Sequence, residues 1–104
     1  MCIRDREKVK LFCEKNELNS PIEHRVLDTM SELGEVAKEV LKMSNYGKHP
    51  VRYNNKLKME LGDVFYSIIT IANAFEIDLD EALNKVLEKY EQRMAKGSPS
   101  SDND

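Results

Sequence analysis

Apolar side chains recur along this chain at steps of three and four, the spacing that gathers them on one side of a helix. Between about Arg6 and Asn16, Val9, Leu11, Phe12 and Cys13 stand among charges and predict a short amphipathic helix. A longer helix is predicted from Pro21 to about Met43, where Val26, Met30, Leu33, Ala37, Val40 and Leu41 share one arc. Its start is marked by Ser20 as a cap, by Pro21 where a missing N–H costs nothing, and by Glu23 placed to reach back to the cap. Leu57, Leu61, Val64, Phe65, Ile68, Ala72 and Phe75 form the stripe of a third helix, from about Lys56 to Glu76. Asp78 followed by Glu81 repeats the capping logic and starts a fourth helix, which ends near Gly97 with Lys96 in its last turn.

The stretch "SNYGKHPVRYNN" holds Gly47, Pro50 and several Asn residues and reads as the loop joining the second and third helices. No convincing strand remains, so the expected fold class is all-α, a four-helix bundle in one domain over residues 1–97. Residues 98–104, "SPSSDND", form a polar tail expected to be disordered. The opening "MCIRDR" is an odd leader that carries none of these signals.

Composition narrows the possible roles. The chain has 104 residues, 40% hydrophobic and 34% charged, with 16 basic against 19 acidic side chains and a formal charge of -3. No basic excess exists to neutralise a nucleic-acid backbone or an anionic membrane, so neither is expected as a partner. The run "VFYSIITIANAF" is too short for a bilayer span, and no secretion signal opens the chain, which points to a cytoplasmic protein. Cys2 and Cys13 have neither metal-ligand spacing nor the density of a disulfide scaffold and read as reduced thiols.

One local pattern carries chemistry. "SELGE" at 31–35 has a near copy in "MELGD" at 59–63, each inside a predicted helix. Each motif sets its acids identically about its central Leu, so Glu32 and Glu35 occupy the same flank of their stripe as Glu60 and Asp63 do of theirs. An antiparallel hairpin packed through the two stripes brings those flanks together. Counted from the loop, one pair lies roughly nine residues back and the other roughly six on, an offset of less than one turn at about 1.5 Å per residue. Four gathered carboxylates repel unless some protonate or a cation joins them. All-oxygen donors select hard ions, Mg2+ first and Mn2+ second. Gly34 and Gly62 cost about 1 kcal/mol each mid-helix relative to Ala, which points to close backbone approach or to room for a substrate.

These residues resemble the MazG-like all-alpha nucleotide pyrophosphohydrolases, whose signature is E-E-x-x-E on one helix and E-x-x-D on the next. The similarity runs from about Leu11 through "YG" at Tyr46 and Gly47, "IDLDEAL" at Ile77 to Leu83, and "KYEQR" at Lys89 to Arg93. Ser31 stands where the family has its first Glu, and Tyr90 where many relatives have Asn. The resemblance implies that Glu32, Glu35, Glu60 and Asp63 hold the metal; among these acids Glu35 is the candidate to orient the attacking water. It also implies that Lys85, Lys89 and Arg93 face the phosphates. The implied reaction is Mg2+-dependent cleavage of a nucleoside triphosphate to a monophosphate and pyrophosphate, as nucleotide housekeeping. A dimer or tetramer of the chain is implied as the form that assembles the site. The alternative is a helical oligomerisation, regulatory or nucleotide-sensing module of the same fold without turnover, a reading that Ser31 keeps open.

Other side chains carry weaker signals. His24 and His49 lack a Glu three residues before them and cannot form the pairs of a di-iron bundle. His49 and Arg52, beside Lys48, would approach a triphosphate if the loop folds over the site; a solvated loop is at least as good a reading. Tyr46, Tyr53 and Tyr66 are candidates for stacking or packing. Phe65, Phe75, Ile68, Ile69 and Ile71 read as core, and Ile69, Ile71 and Val36 widen the stripes beyond what one hairpin covers, so a homo-oligomer is expected.

Overall fold

A computed structural model of the protein describes residues 3–97. Along them run α1 (Ile3–Lys15), α2 (Ile22–Met43), α3 (Lys56–Ala74) and α4 (Leu79–Ala95). No strand occurs among the described residues, and the protein is all-α. The polar tail expected to be disordered lies outside the described residues, as do Met1 and Cys2. Residues 3–6 of the opening stretch belong to α1. Arg6 is half-buried, its guanidinium lies 3.7 Å from Asp78, and its carbonyl accepts a hydrogen bond from Asn73 Nδ2 at 3.2 Å.

The helix ends follow local chemistry, with one exception to the predicted signals. Asp78 caps α4 as expected, its Oδ1 accepting from the N–H groups of Asp80 (2.9 Å) and Glu81 (3.1 Å). Ser20 does not cap α2. Pro21 takes that position, and the N–H groups of His24 and Arg25 donate to its carbonyl. The Ser20 and Leu18 carbonyls are instead drawn to the Arg25 guanidinium, which donates to Ser20 O (3.2 Å), Leu18 O (3.0 Å) and Thr70 O of α3 (3.1 Å). A fork of five donors can bind several carbonyls at once, and here it fastens the α1–α2 turn to α3. After α2 the chain reverses through Asn45, Tyr46 and Gly47, all at positive φ (47°, 58° and 89°). The Ser44 hydroxyl oxygen braces this turn by accepting from Gly47 N–H at 2.9 Å.

The α2–α3 hairpin packs along its length and α1 lies against α3, while the α4 backbone keeps farther off. The face that packs is not the predicted one. In α2 the sheltered positions are Ile22, Arg25, Thr29, Glu32, Val36, Glu39 and Met43, alternating steps of three and four. Leu57, Glu60, Val64, Ser67 and Ile71 repeat that rhythm in α3. This seam mixes charge and hydroxyls with apolar groups, and it sits beside the richer stripes that hydrophobicity alone singles out. Val26, Met30, Leu33, Val40 and Leu41 of α2 stay exposed, as do Leu61, Phe65, Ile68 and Phe75 of α3. Phe65, Ile68 and Phe75 are therefore not core in the protomer, whereas Ile69 is 1% exposed and Ile71 and Val36 are half-buried. Among the described residues the buried hydrophobic side chains are Cys13, Met43, Ile69 and Ala72.

Candidate metal centre

Glu32 and Glu60 occupy seam positions on facing helices, one turn from Val36 and Val64 respectively. Asp63 follows Glu60 by three residues, so it rises from the same side of α3 one turn later, at the exposed edge of the seam. One carboxylate oxygen from each of Glu32, Glu60 and Asp63 lies within 4.8 Å of the other two. The hairpin thus brings three of the four predicted acids to one point. Glu35 is exposed and stands outside that group, although its charge still reaches Glu32.

Electrostatics marks the same point. Partial burial and then the negative charges of Asp63, Glu60, Glu35 and Asp28 raise the Glu32 pKa above its ordinary value of 4.5. Every charge acting on it is a carboxylate. Asp28 lies outside the doubled motif. Its spacing of one helical turn before Glu32 is the signal that places it beside the cluster. The residues present fit a hard divalent ion, because the group offers only oxygen donors and carries the mutual repulsion that such an ion relieves.

A sequence profile of the MazG nucleotide pyrophosphohydrolase domain matches residues 12–97. The chain belongs to that family. YpjD of Bacillus subtilis (strain 168), an uncharacterized protein, is 35% identical over 65 residues, a stretch covering 60% of this chain and 57% of that relative. The chain therefore matches a little over half the length of that relative. The crystal structure of YpjD from Bacillus subtilis, described as a candidate pyrophosphatase, aligns with a TM-score of 0.71 at 26% identity. That alignment covers 86% of this chain and 95% of the other.

The remaining side chains singled out in the sequence are spread over the MazG domain. Lys85 lies on α4 and pairs with Glu81 at 3.1 Å, both well exposed. Lys89 and Arg93 set their cations 5.5 and 5.4 Å from the ring centroid of Tyr90, in cation–π range. Arg93 is only 6% exposed. His24 is exposed, and His49 turns inward to the backbone, its Nδ1 lying 2.8 Å from Pro50 O. Arg52, Tyr46 and Tyr53 are exposed, while Tyr66 is half-buried between α1 and α3. An added Cβ at Gly34 or Gly62 would meet no atom within 4 Å, so close approach inside the protomer does not explain either glycine. No described helix is long and apolar enough to cross a membrane.

Proposed function

We propose that this MazG domain hydrolyses a nucleoside triphosphate to the monophosphate and pyrophosphate, with Mg2+ as cofactor and Mn2+ as a substitute, in the cytoplasm. The observation that carries this reading is the convergence of Glu32, Glu60 and Asp63 from facing helices of a pyrophosphohydrolase-family fold. Those three carboxylates would hold the ion, and Glu35, which lies outside the trio one turn along α2 from Glu32, would be a fourth ligand once an ion is bound. When bound, the ion neutralises phosphate oxygens, steadies charge on the departing pyrophosphate and lowers the pKa of a coordinated water. Glu35, the most solvent-facing acid of its motif, accepts a hydrogen bond from the attacking water and orients it toward phosphorus. Lys85, Lys89 and Arg93 supply positive charge from α4 to the polyphosphate.

A second copy of the chain is part of this proposal. The apolar stripes of α2 and α3 lie open to solvent along most of their length, a surface of the kind that marks an association site. Covering them with the same stripes of another protomer completes a helical bundle, as a dimer or a dimer of dimers.

Incubating the purified chain with a panel of ribo- and deoxyribonucleoside triphosphates and Mg2+ tests the activity. Monophosphate and pyrophosphate are expected from at least one of them, and Glu60→Gln or Asp63→Asn should reduce that turnover to background with helicity unchanged by circular dichroism. Binding without product would favour a nucleotide sensor. Substitutions that altered only association would favour an oligomerisation module.

A further inference from the structure

We infer that Arg25 is a positioning residue for the carboxylate trio: its guanidinium fixes the register of α2 on α3, and that register sets how closely Glu32 meets the acids of α3. The inference rests on the trio being a metal site. Arg25 stands outside the trio, two turns back along α2 from Glu32.

Arg25 precedes Glu32 by seven residues, and Thr70 follows Asp63 by seven. Seven residues make about two turns, a rise of about 10.5 Å at 1.5 Å per residue. In an antiparallel pair both steps lead the same way, from the trio toward the α1–α2 turn, so the register that sets Arg25 opposite Thr70 also sets Glu32 opposite Asp63. The bond from Arg25 Nη1 to Thr70 O, at 3.1 Å, is a direct polar link in that register. Asp28 and Ser67, midway between the two levels on their helices, line one small cavity with Arg25 and Thr70, as the same register requires.

The trio tolerates little slip. Its oxygens lie within 4.8 Å of one another, whereas sliding one helix by a single turn displaces its acids by about 5.4 Å. Side-chain ridges recur at every turn of a helix, so apolar contact separates neighbouring registers weakly. A hydrogen bond between two particular atoms separates them sharply, because it is lost within a fraction of a turn. The guanidinium suits this task. Half-buried, it is held to the turn before α2 through Nε to Ser20 O (3.2 Å) and Nη2 to Leu18 O (3.0 Å), while Nη1 reaches across to α3. A lysine ammonium keeps the charge but lacks the planar spread of donors that spans three carbonyls.

The test reads Mg2+ affinity of the full chain by calorimetry, with helicity followed by circular dichroism. Arg25→Ala should weaken Mg2+ binding by about tenfold or more, the scale on which groups that orient metal ligands act. Arg25→Lys preserves the charge and should show the same loss with helicity intact. Asp78→Ala, which removes the α4 cap, serves as the control: it should lower stability and leave Mg2+ affinity unchanged. Excess Mg2+ should restore turnover to Arg25→Lys. Turnover lost at every Mg2+ concentration would make Arg25 a group that touches the substrate and overturn the positioning role. Unchanged Mg2+ affinity in both Arg25 variants overturns the inference, and so does an equal loss in Asp78→Ala, which would mark general loosening. Full affinity in Arg25→Lys beside a loss in Arg25→Ala would make charge the cause and overturn it as well. If the wild type binds Mg2+ and the Arg25 variants bind it equally, the register role alone fails. If the wild type binds no Mg2+, the reading of the carboxylates fails and this inference with it.

Discussion

Glu32 carries the tension of this fold in a single side chain. Its carboxyl is pushed above 4.5 by partial burial and by four neighbouring carboxylates. As pH rises, the unfolded chain releases this proton first, so the native state binds more protons than the unfolded one across the window from 4.5 to the raised folded value. Native stability contributed by this group is full below 4.5 and falls as pH climbs through that window. Thermal melts without divalent ions should therefore lose midpoint temperature from acid toward neutral pH relative to Glu32→Gln, which removes the titration. Added Mg2+ should raise the wild-type midpoint at neutral pH, and the rise should shrink as pH falls through the raised Glu32 value, where a proton takes that carboxylate. A midpoint indifferent to Mg2+ at neutral pH would remove the support for a metal at this point. The acids themselves were legible from a doubled motif. The separation of Glu35 from the other three was not, because equal placement about a central Leu says nothing of how far each helix is rotated toward its neighbour.

At the scale of elements, Asp78 shows how much one cap decides. Its carboxylate accepts from two N–H groups of α4 and also faces Arg6 of α1, so it starts the last helix and ties it to the first. Asp78→Ala should lower stability in urea by about 1 kcal/mol, the usual worth of a cap, and Asp78→Asn should recover most of it. The four helices and their loop were legible because period and punctuation are local properties. The cap of α2 was misread because Ser20 and Pro21 carry a start signal that does not register a competitor from the first turns of the helix itself, here the Arg25 guanidinium, which takes the Ser20 carbonyl. The packing face was misread for a related reason. Hydrophobicity ranks the faces of a helix by how strongly they leave water, and it does not say which neighbour each will meet. In α2 the richest stripe remains open while a seam containing Glu32 and Glu39 goes inward.

The whole molecule is consequently lopsided, with open apolar stripes on α2 and α3 and few side chains fully enclosed. Leu33 and Phe65, 53% and 45% exposed, are not in the carboxylate group and should lie in the contact between copies. Leu33→Glu or Phe65→Glu should shift the sedimentation coefficient toward that of a single protomer, and a wild type that sediments as a single protomer would refute the assembly. The small interior has a further consequence. Cys13, Met43, Ile69 and Ala72 enclose little apolar volume for a chain of this length. If the open stripes close only against another copy, acquiring shape and acquiring a mate become a single thermodynamic event, and how firmly any one chain holds together depends on how many others surround it.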